Sequence, residues 1–583
     1  MKKDFSLRNG KAMINFTAKY CDTIDKLLES NGFKRVMLSY LKNIRKKNSV
    51  IYKYITDSMV VSGNEILVEE IINLFKLMIM VKDDDIIRLN NKYEKILSDK
   101  DRFVDFIEGL YSFWRKLEKY TIVTNQQVSE GYESVSFIDA NTEFVKLVLN
   151  LYRRIEENIL KVKPNVYRQL PVGGNAGLIL RNISWPIPEE YCSLSNIPFL
   201  DSIMLNLPFI TYPKKNTRDG YFTECLENPL EHCNIVSDHW FCYPAKVGTL
   251  LAYIYFHRDY MAHGVTLCNL FEMARENECT NKKPDLIYIF GARDDFEKPK
   301  TIFYDDIKNN IMLGYVSYSD AIDYFGYMKK MALTLHNLVM IKRGCLPVHG
   351  AMVNIILNNG KTANVVIVGD SGAGKSESLE AFRSLSEDYI SDMTIVFDDM
   401  GYIKLNEDKK PLGYGTEIGA FIRLDDLGPG YAFREIDRCI FMNPDKINAR
   451  LVMPVSSYKD IIKGYKIDMF LYANNYESVE NHREEIEYFN STSEALEVFK
   501  AGIRMAKGTT TESGLVKSYF ANPFGPLQKQ RETDILLLKY FDNFYETGVK
   551  VGQIRTCLGI EGQSTIGPKR AAKKLFYEIS NLK

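Results

Sequence analysis

The stretch VVIVGDSGAGKSESLEAF, Val365 to Phe382, combines an apolar β-rich run, a small-residue loop and a helical pattern. Its loop fits G-x-x-x-x-G-K-[ST]: Gly369, Asp370, Ser371, Gly372, Ala373, Gly374, Lys375 and Ser376, followed by Glu377. Glycines let successive backbone N–H groups turn toward one anion, and the helix that follows adds its positive N-terminal end. Lys375 then reaches the β/γ-phosphates of a nucleoside triphosphate, taken here as ATP, and Ser376 reaches Mg²⁺. A carboxylate to hold metal is the next requirement. Asp392, in YISDM and 17 residues after Lys375, can supply it; an ordinary surface Asp at a strand end explains the residue equally well.

The loop needs a strand before it and a helix after it. AMVNIIL, the turn NNGK and TANVVIVG read as a β-hairpin leading straight into the loop. Further on, YISDMTIVFDD and IDMFLYANN are strand candidates. Upstream, PDLIYIFGA, KTIFYDD and NNIMLGYVSY read as strands, and DAIDYFGYMKKMALTLHNLVMIKRG has helical spacing. Residues 1–160 repeat apolar residues every three to four positions, as in NEILVEEIINLFKLMIM, DRFVDFIEGLYSFWRKLEKY and TEFVKLVLNLYRRIEENIL, with Asp101 and Thr142 placed as N-caps. Such stripes are core rather than cofactor contacts. The expected division is a helical accessory domain over 1–160, a lobe over 161–340 and the phosphate-loop lobe over 341–583.

Composition narrows the class. In 583 residues, 75 basic side chains balance 75 acidic ones, so no global field recruits nucleic acid or a membrane surface. Hydrophobic content of 45% is ample for buried cores. Ten cysteines are scattered without a C-x-x-C pair, which suits reduced thiols and a cytoplasmic location. The N-terminus lacks the apolar region of a secretory signal, and IINLFKLMIM is too short to span a bilayer.

The stretch YFGYMKKMALTLHNLVMIKRGCLPVHGAMVNI resembles the ATP-type phosphoenolpyruvate carboxykinases, whose M-K-K helix start is followed by a His nineteen residues past the second Lys. Lys330 and His349 keep that spacing of nineteen. The resemblance continues through GDSGAGKS, EIGAFIR (Glu417 to Arg423), NARLVMP and, more loosely, KGTTTESG with FANPFG. It implies an α/β fold with a two-lobed carboxykinase-like core, a P-loop nucleotide lobe and an all-helical N-terminal addition. It also implies a metal site, Mn²⁺, made by Lys330, His349 and Asp392. Lys375 and Ser376 would handle phosphates and nucleotide Mg²⁺, Ser371 would lie near substrate, Tyr324 beside the carbon dioxide site, and Arg450 would neutralise the transferring phosphoryl group. The implied reaction converts oxaloacetate and ATP to phosphoenolpyruvate, carbon dioxide and ADP. Its partner is a small-molecule substrate, and the helical domain leaves room for a protein partner.

The pattern departs from the family in four places, one of them the C-terminal adenine-contact region, VGQIRTCLGIEGQSTIGPKR, which matches only loosely. Asp392 is followed by Met393 where the family has a second Asp, and Tyr327 stands where it has a Glu before M-K-K. The arginine loop that grips the substrate dicarboxylate is absent, leaving Arg181, Arg218 and Arg293 as unplaced substitutes, with Arg181 the first choice from its place after GGNAGLIL. HGAMVNI with GDSGAGKSE also resembles the HPr kinase/phosphorylases, in which the His and Asp serve phosphoryl transfer to a protein serine. A third reading is an ATP-binding sensor or scaffold without chemistry.

Overall fold

Apolar residues at helical spacing in the first 160 positions form helices at Asn31–Lys46, Asn64–Met80, Lys100–Lys116 and Ser134–Leu160. They bury Leu41, Ile71, Phe103, Phe106 and Ile155 against one another. The computed structural model describes residues 5–8, 11–15, 21–47, 49–59, 61, 63–122, 134–161, 165–169, 176–218, 220–370, 373, 390–424, 436–479, 483–506 and 514–582. The chain is mixed α/β and divides into two units, Met1–Pro164 and Asn165–Lys583.

The first unit is not purely helical. Strands Phe5–Arg8, Lys11–Asn15 and Glu118–Ile122 make a small sheet. The helical run through DRFVDFIEGLYSFWRKLEKY therefore stops at Lys116, and its last residues pair with Lys11–Asn15 instead. The cap of that helix is Asp99, which accepts from the Arg102 N–H at 3.2 Å, and not Asp101. Thr142 lies inside a helix. An apolar pocket lined by Phe33, Phe75, Trp114, Phe144 and Leu151 among others carries no charged side chain, so phosphate chemistry has no footing there.

In the second unit, Leu250–His257, Leu286–Ala292 and Ile311–Ser317 run parallel at the centre of one sheet. All residues of the latter two are buried, as expected of continuous apolar runs covered on both faces. Helix α1 (Phe325–Lys342) follows and is buried almost all round. Then come β1 (Leu346–Leu357), β2 (Thr362–Val368) and β3 (Ile390–Leu405), with β1 antiparallel to both others. After Pro411–Gly415, which pairs antiparallel with β3, the chain crosses into β4 (Gly419–Arg423) and β5 (Arg450–Pro454), paired antiparallel. Met469–Asn474 and Lys550–Arg555 extend the second sheet parallel to β2. The expected hairpin is thus present, and β2 leads to Gly369 at the carboxyl edge of three parallel strands, where anion-binding loops of α/β sheets sit.

Candidate functional site

Four segments bring charge together at that edge. From α1, Lys329 and Lys330 both place their amines 2.7 Å from Oδ2 of Asp399 on β3. From β1, His349 brings Nε2 to 2.9 Å from the other oxygen, Oδ1. Glu417, just before β4, lies with Oε2 3.4 Å from the Lys329 amine. Lys329, His349 and Glu417 are at most 2% exposed, whereas the side chains of Lys330 and Asp399 keep 14% of their surface open. Lysines survive on a buried helix because each amine has a carboxylate partner.

The electrostatics follow from that packing. Burial disfavours charge on Asp399, but Lys329 and Lys330, helped by His349, hold its carboxyl well below the usual range. Burial, with the Lys329 charge beside it, pulls the Lys330 amine down to about 8 against the pull of Asp399. Burial also works against Lys329, yet Asp399 and Glu417 outweigh it and raise that amine above its ordinary value. Glu417 is pushed up to about 7 by burial, against Lys329.

The Asp392 expectation is corrected here. Asp392 is exposed near the start of β3, opposite Ile356, and its Oδ1 accepts from the next N–H at 2.9 Å. Asp399 is seven residues further along the same strand, about 23 Å away at the usual rise. Two adjacent carboxylates do occur on β3, Asp398 and Asp399 in VFDDM, and that pair is the signal the sequence carries for this position. A further carboxylate, Glu417, stands beside Lys329.

His349 links this cluster to the phosphate loop. Its carbonyl accepts from the Gly369 N–H at 3.0 Å, and its Nδ1 donates to the Ala521 carbonyl at 2.7 Å. Asp370 Oδ1 is 3.5 Å from the same Nδ1, while its Oδ2 accepts from Arg504 Nε at 3.0 Å. The Thr556 hydroxyl holds the Ala373 carbonyl at 2.9 Å. Ser371, Gly372, Gly374, Lys375, Ser376 and Glu377 lie outside the described residues.

An aromatic floor organises the remaining cations. The Phe524 carbonyl accepts from Asn337 of α1 at 2.6 Å, which sets the ring under Lys330 at 4.6 Å and beside Arg218 at 5.2 Å. Arg450 lies 5.5 Å over Phe421, and Phe421 is 5.9 Å from Tyr324. Burial raises the Tyr324 hydroxyl, while Arg450 and Arg218 pull it back. Of the three unplaced arginines, only Arg218 reaches this floor. Arg181 is tied to Asp201 at 3.1 Å and Glu276 at 2.9 Å, and Arg293 stacks on Tyr318 at 4.6 Å.

Whether these residues suit a metal ion turns on His349. With the proton on Nδ1 committed to Ala521, Nε2 carries a lone pair facing Asp399 at 2.9 Å. Two such acceptors repel unless a proton or a cation lies between them. An amine held down to about 8, an imidazole so oriented and a carboxylate make a mixed N/O donor set that fits Mn²⁺. Among the described residues no three His, Cys, Asp or Glu side chains form such a group, so a lysine is needed to complete it. No helix among them is long and apolar enough to cross a membrane. The chain matches no family model and no curated protein sequence.

Proposed function

We propose that this chain catalyses ATP-dependent phosphoryl transfer to a small anionic acceptor on the phosphoenolpyruvate carboxykinase plan, with oxaloacetate the first acceptor to test. One observation carries the reading: Lys330, His349 and Asp399 meet at the entry of the phosphate loop. Phosphoryl transfer is chiefly positioning and neutralisation of charge, and the site is built for both. In this reading Lys375 and Ser376 hold the nucleotide phosphates and Mg²⁺. Lys330, His349 and Asp399 would hold Mn²⁺, and that ion would supply Lewis acidity toward an acceptor oxygen. Arg218 offers the cationic partner for a substrate carboxylate that the family's missing loop otherwise supplies, and Arg450 neutralises the phosphoryl group. With oxaloacetate, the C3–C4 bond breaks and releases carbon dioxide. The electron pair passes to the enolate oxygen, that oxygen bonds to the γ-phosphorus, and ADP leaves.

Kinase chemistry on the HPr-kinase pattern asks for a carboxylate or histidine free to take a hydroxyl proton. Lys329 and Lys330 both sit 2.7 Å from Oδ2 of Asp399 and hold its carboxyl well below the usual range, which makes it a poor base and favours the carboxykinase plan. Purified protein with ATP, Mg²⁺ and Mn²⁺ should release ADP and phosphoenolpyruvate from oxaloacetate. Turnover with small alcohols or other oxo-acids instead would move the acceptor elsewhere. No ATP binding at millimolar concentration would end the nucleotide reading.

A further inference from the structure

Arg218 and Arg450 lie far apart in sequence, and three asparagines tie their segments together. Phe209–Thr211 and Ile440–Met442 pair in parallel, and the Asn443 N–H continues the pairing to the Thr211 carbonyl at 3.0 Å. Beyond that point side chains take over. Asn443 Nδ2 donates to the Pro213 carbonyl at 2.8 Å and to Asn216 Oδ1 at 2.5 Å. Asn448 Nδ2 donates to the Asn216 carbonyl at 2.7 Å, and Asn216 Nδ2 donates to the Ile447 carbonyl at 3.0 Å. All these acceptors are oxygens, so the amide orientations are set by their partners. Asn443 and Asn448 both adopt left-handed backbone, φ 49° and 62°, a conformation that asparagine tolerates better than most side chains.

The spacing gives the arrangement its meaning. Arg218 follows Asn216 by two residues, and Arg450 follows Asn448 by two. On its other side the same loop is held by Asp323, which accepts from the Lys214 N–H at 2.9 Å and pairs with His263 at 2.8 Å. Asp323 immediately precedes Tyr324, the side chain that both arginines influence.

We propose that Asn216, Asn443 and Asn448 are positioning residues, a clasp that sets Arg218, beside Phe524, and Arg450, over Phe421, so that both guanidiniums engage one anionic group, a carboxylate or a phosphate, of the acceptor. Only the word acceptor rests on the phosphotransfer reading; the two-arginine site does not need nucleotide.

The test is calorimetric titration of the full chain with malonate and, separately, with inorganic phosphate. Each is referred to the Arg218→Ala/Arg450→Ala double variant, which keeps the phosphate loop. Asn216→Ala and Asn448→Gly each lose clasp hydrogen bonds, the glycine doing so without backbone strain. Each should weaken the probe that binds by about fivefold to tenfold. Adding Asn216→Ala to the double arginine variant should change nothing further, whereas a general loss of structure would lower binding in that background too. Tighter binding of malonate assigns the site to a carboxylate, and tighter binding of phosphate to a phosphoryl group. The proposal is overturned if the asparagine variants bind like wild type, if their effect persists without the arginines, or if wild type binds neither probe. An absent ATP-induced rise in melting temperature in the same samples sinks the phosphotransfer reading alone.

Discussion

Asp399 has three partners, and its removal leaves Lys329 with Glu417 and takes from Lys330 the carboxylate it touches. Asp399→Ala should therefore destabilise the 165–583 unit by about 3–5 kcal/mol, the cost of leaving buried charge unpaired. Asp399→Asn preserves shape while removing the charge that gathers the cations. It should lower Mn²⁺-dependent turnover about 100-fold or more. Asp392→Asn, at an exposed position, should leave both turnover and stability within about 0.5 kcal/mol of wild type. Turnover assays with a manganese titration on the two Asn variants separate the sites; equal losses would restore Asp392 to the metal site. Lys375→Ala should abolish turnover while leaving the Asp399 cluster intact, because it removes the point charge facing the γ-phosphate.

Helix α1 delivers the lysine pair from a setting buried on nearly every side, and that burial has a second consequence. His336, fully buried on α1 with Nε2 unpartnered, is pulled by burial from 6.5 to about 4. Its folded-state value lies below the unfolded one, so its contribution is present above about pH 6.5 and lost as pH falls toward 4. Across that window the loss amounts to about 3 kcal/mol. His336→Gln should flatten the acid limb of stability, read as urea midpoints at pH 5 and pH 7. A wild-type midpoint independent of pH in that range contradicts it. Strand β1 is held just as tightly: a Cβ on Gly350 would come within 2.4 Å of the Ile367 carbonyl, so that position accepts no side chain without parting β1 from β2.

For the whole molecule, the two units have separate apolar cores, the first made only from residues of the 1–164 segment. A chain reduced to 165–583 should therefore fold and keep its response to nucleotide. ATP at a hundredfold excess over its Kd should stabilise it by about 2.7 kcal/mol, as in the full chain. In the full chain, scanning calorimetry should show nucleotide moving the transition of the second unit and leaving that of the first in place. A truncated protein that folds but has lost the shift would place part of the nucleotide site in the first unit.

Local pattern carried a good part of this description. Period-2 and continuous apolar runs foretold β1, β2, Leu286–Ala292 and Ile311–Ser317, and period-3.6 runs foretold α1 and the helices before residue 160, because side-chain burial is set by backbone repeat. Lys330 and His349 both reach Asp399, since only one helix, a short turn and one strand separate them. What the sequence left open was which groups meet them. Asp392 and Asp399 sit on the same strand, and only the packing of β3 on β1 and α1 decides that the second faces the lysines. The strand at Glu118–Ile122 needed Lys11–Asn15 as its partner, a pairing about a hundred residues distant. Arg218, Glu417 and the asparagine clasp depend on contacts across still longer stretches of chain. Periodicity speaks of a residue's own element; convergence of charge from several elements is a property of tertiary packing, and there the choice of Asp399 and Arg218 was made.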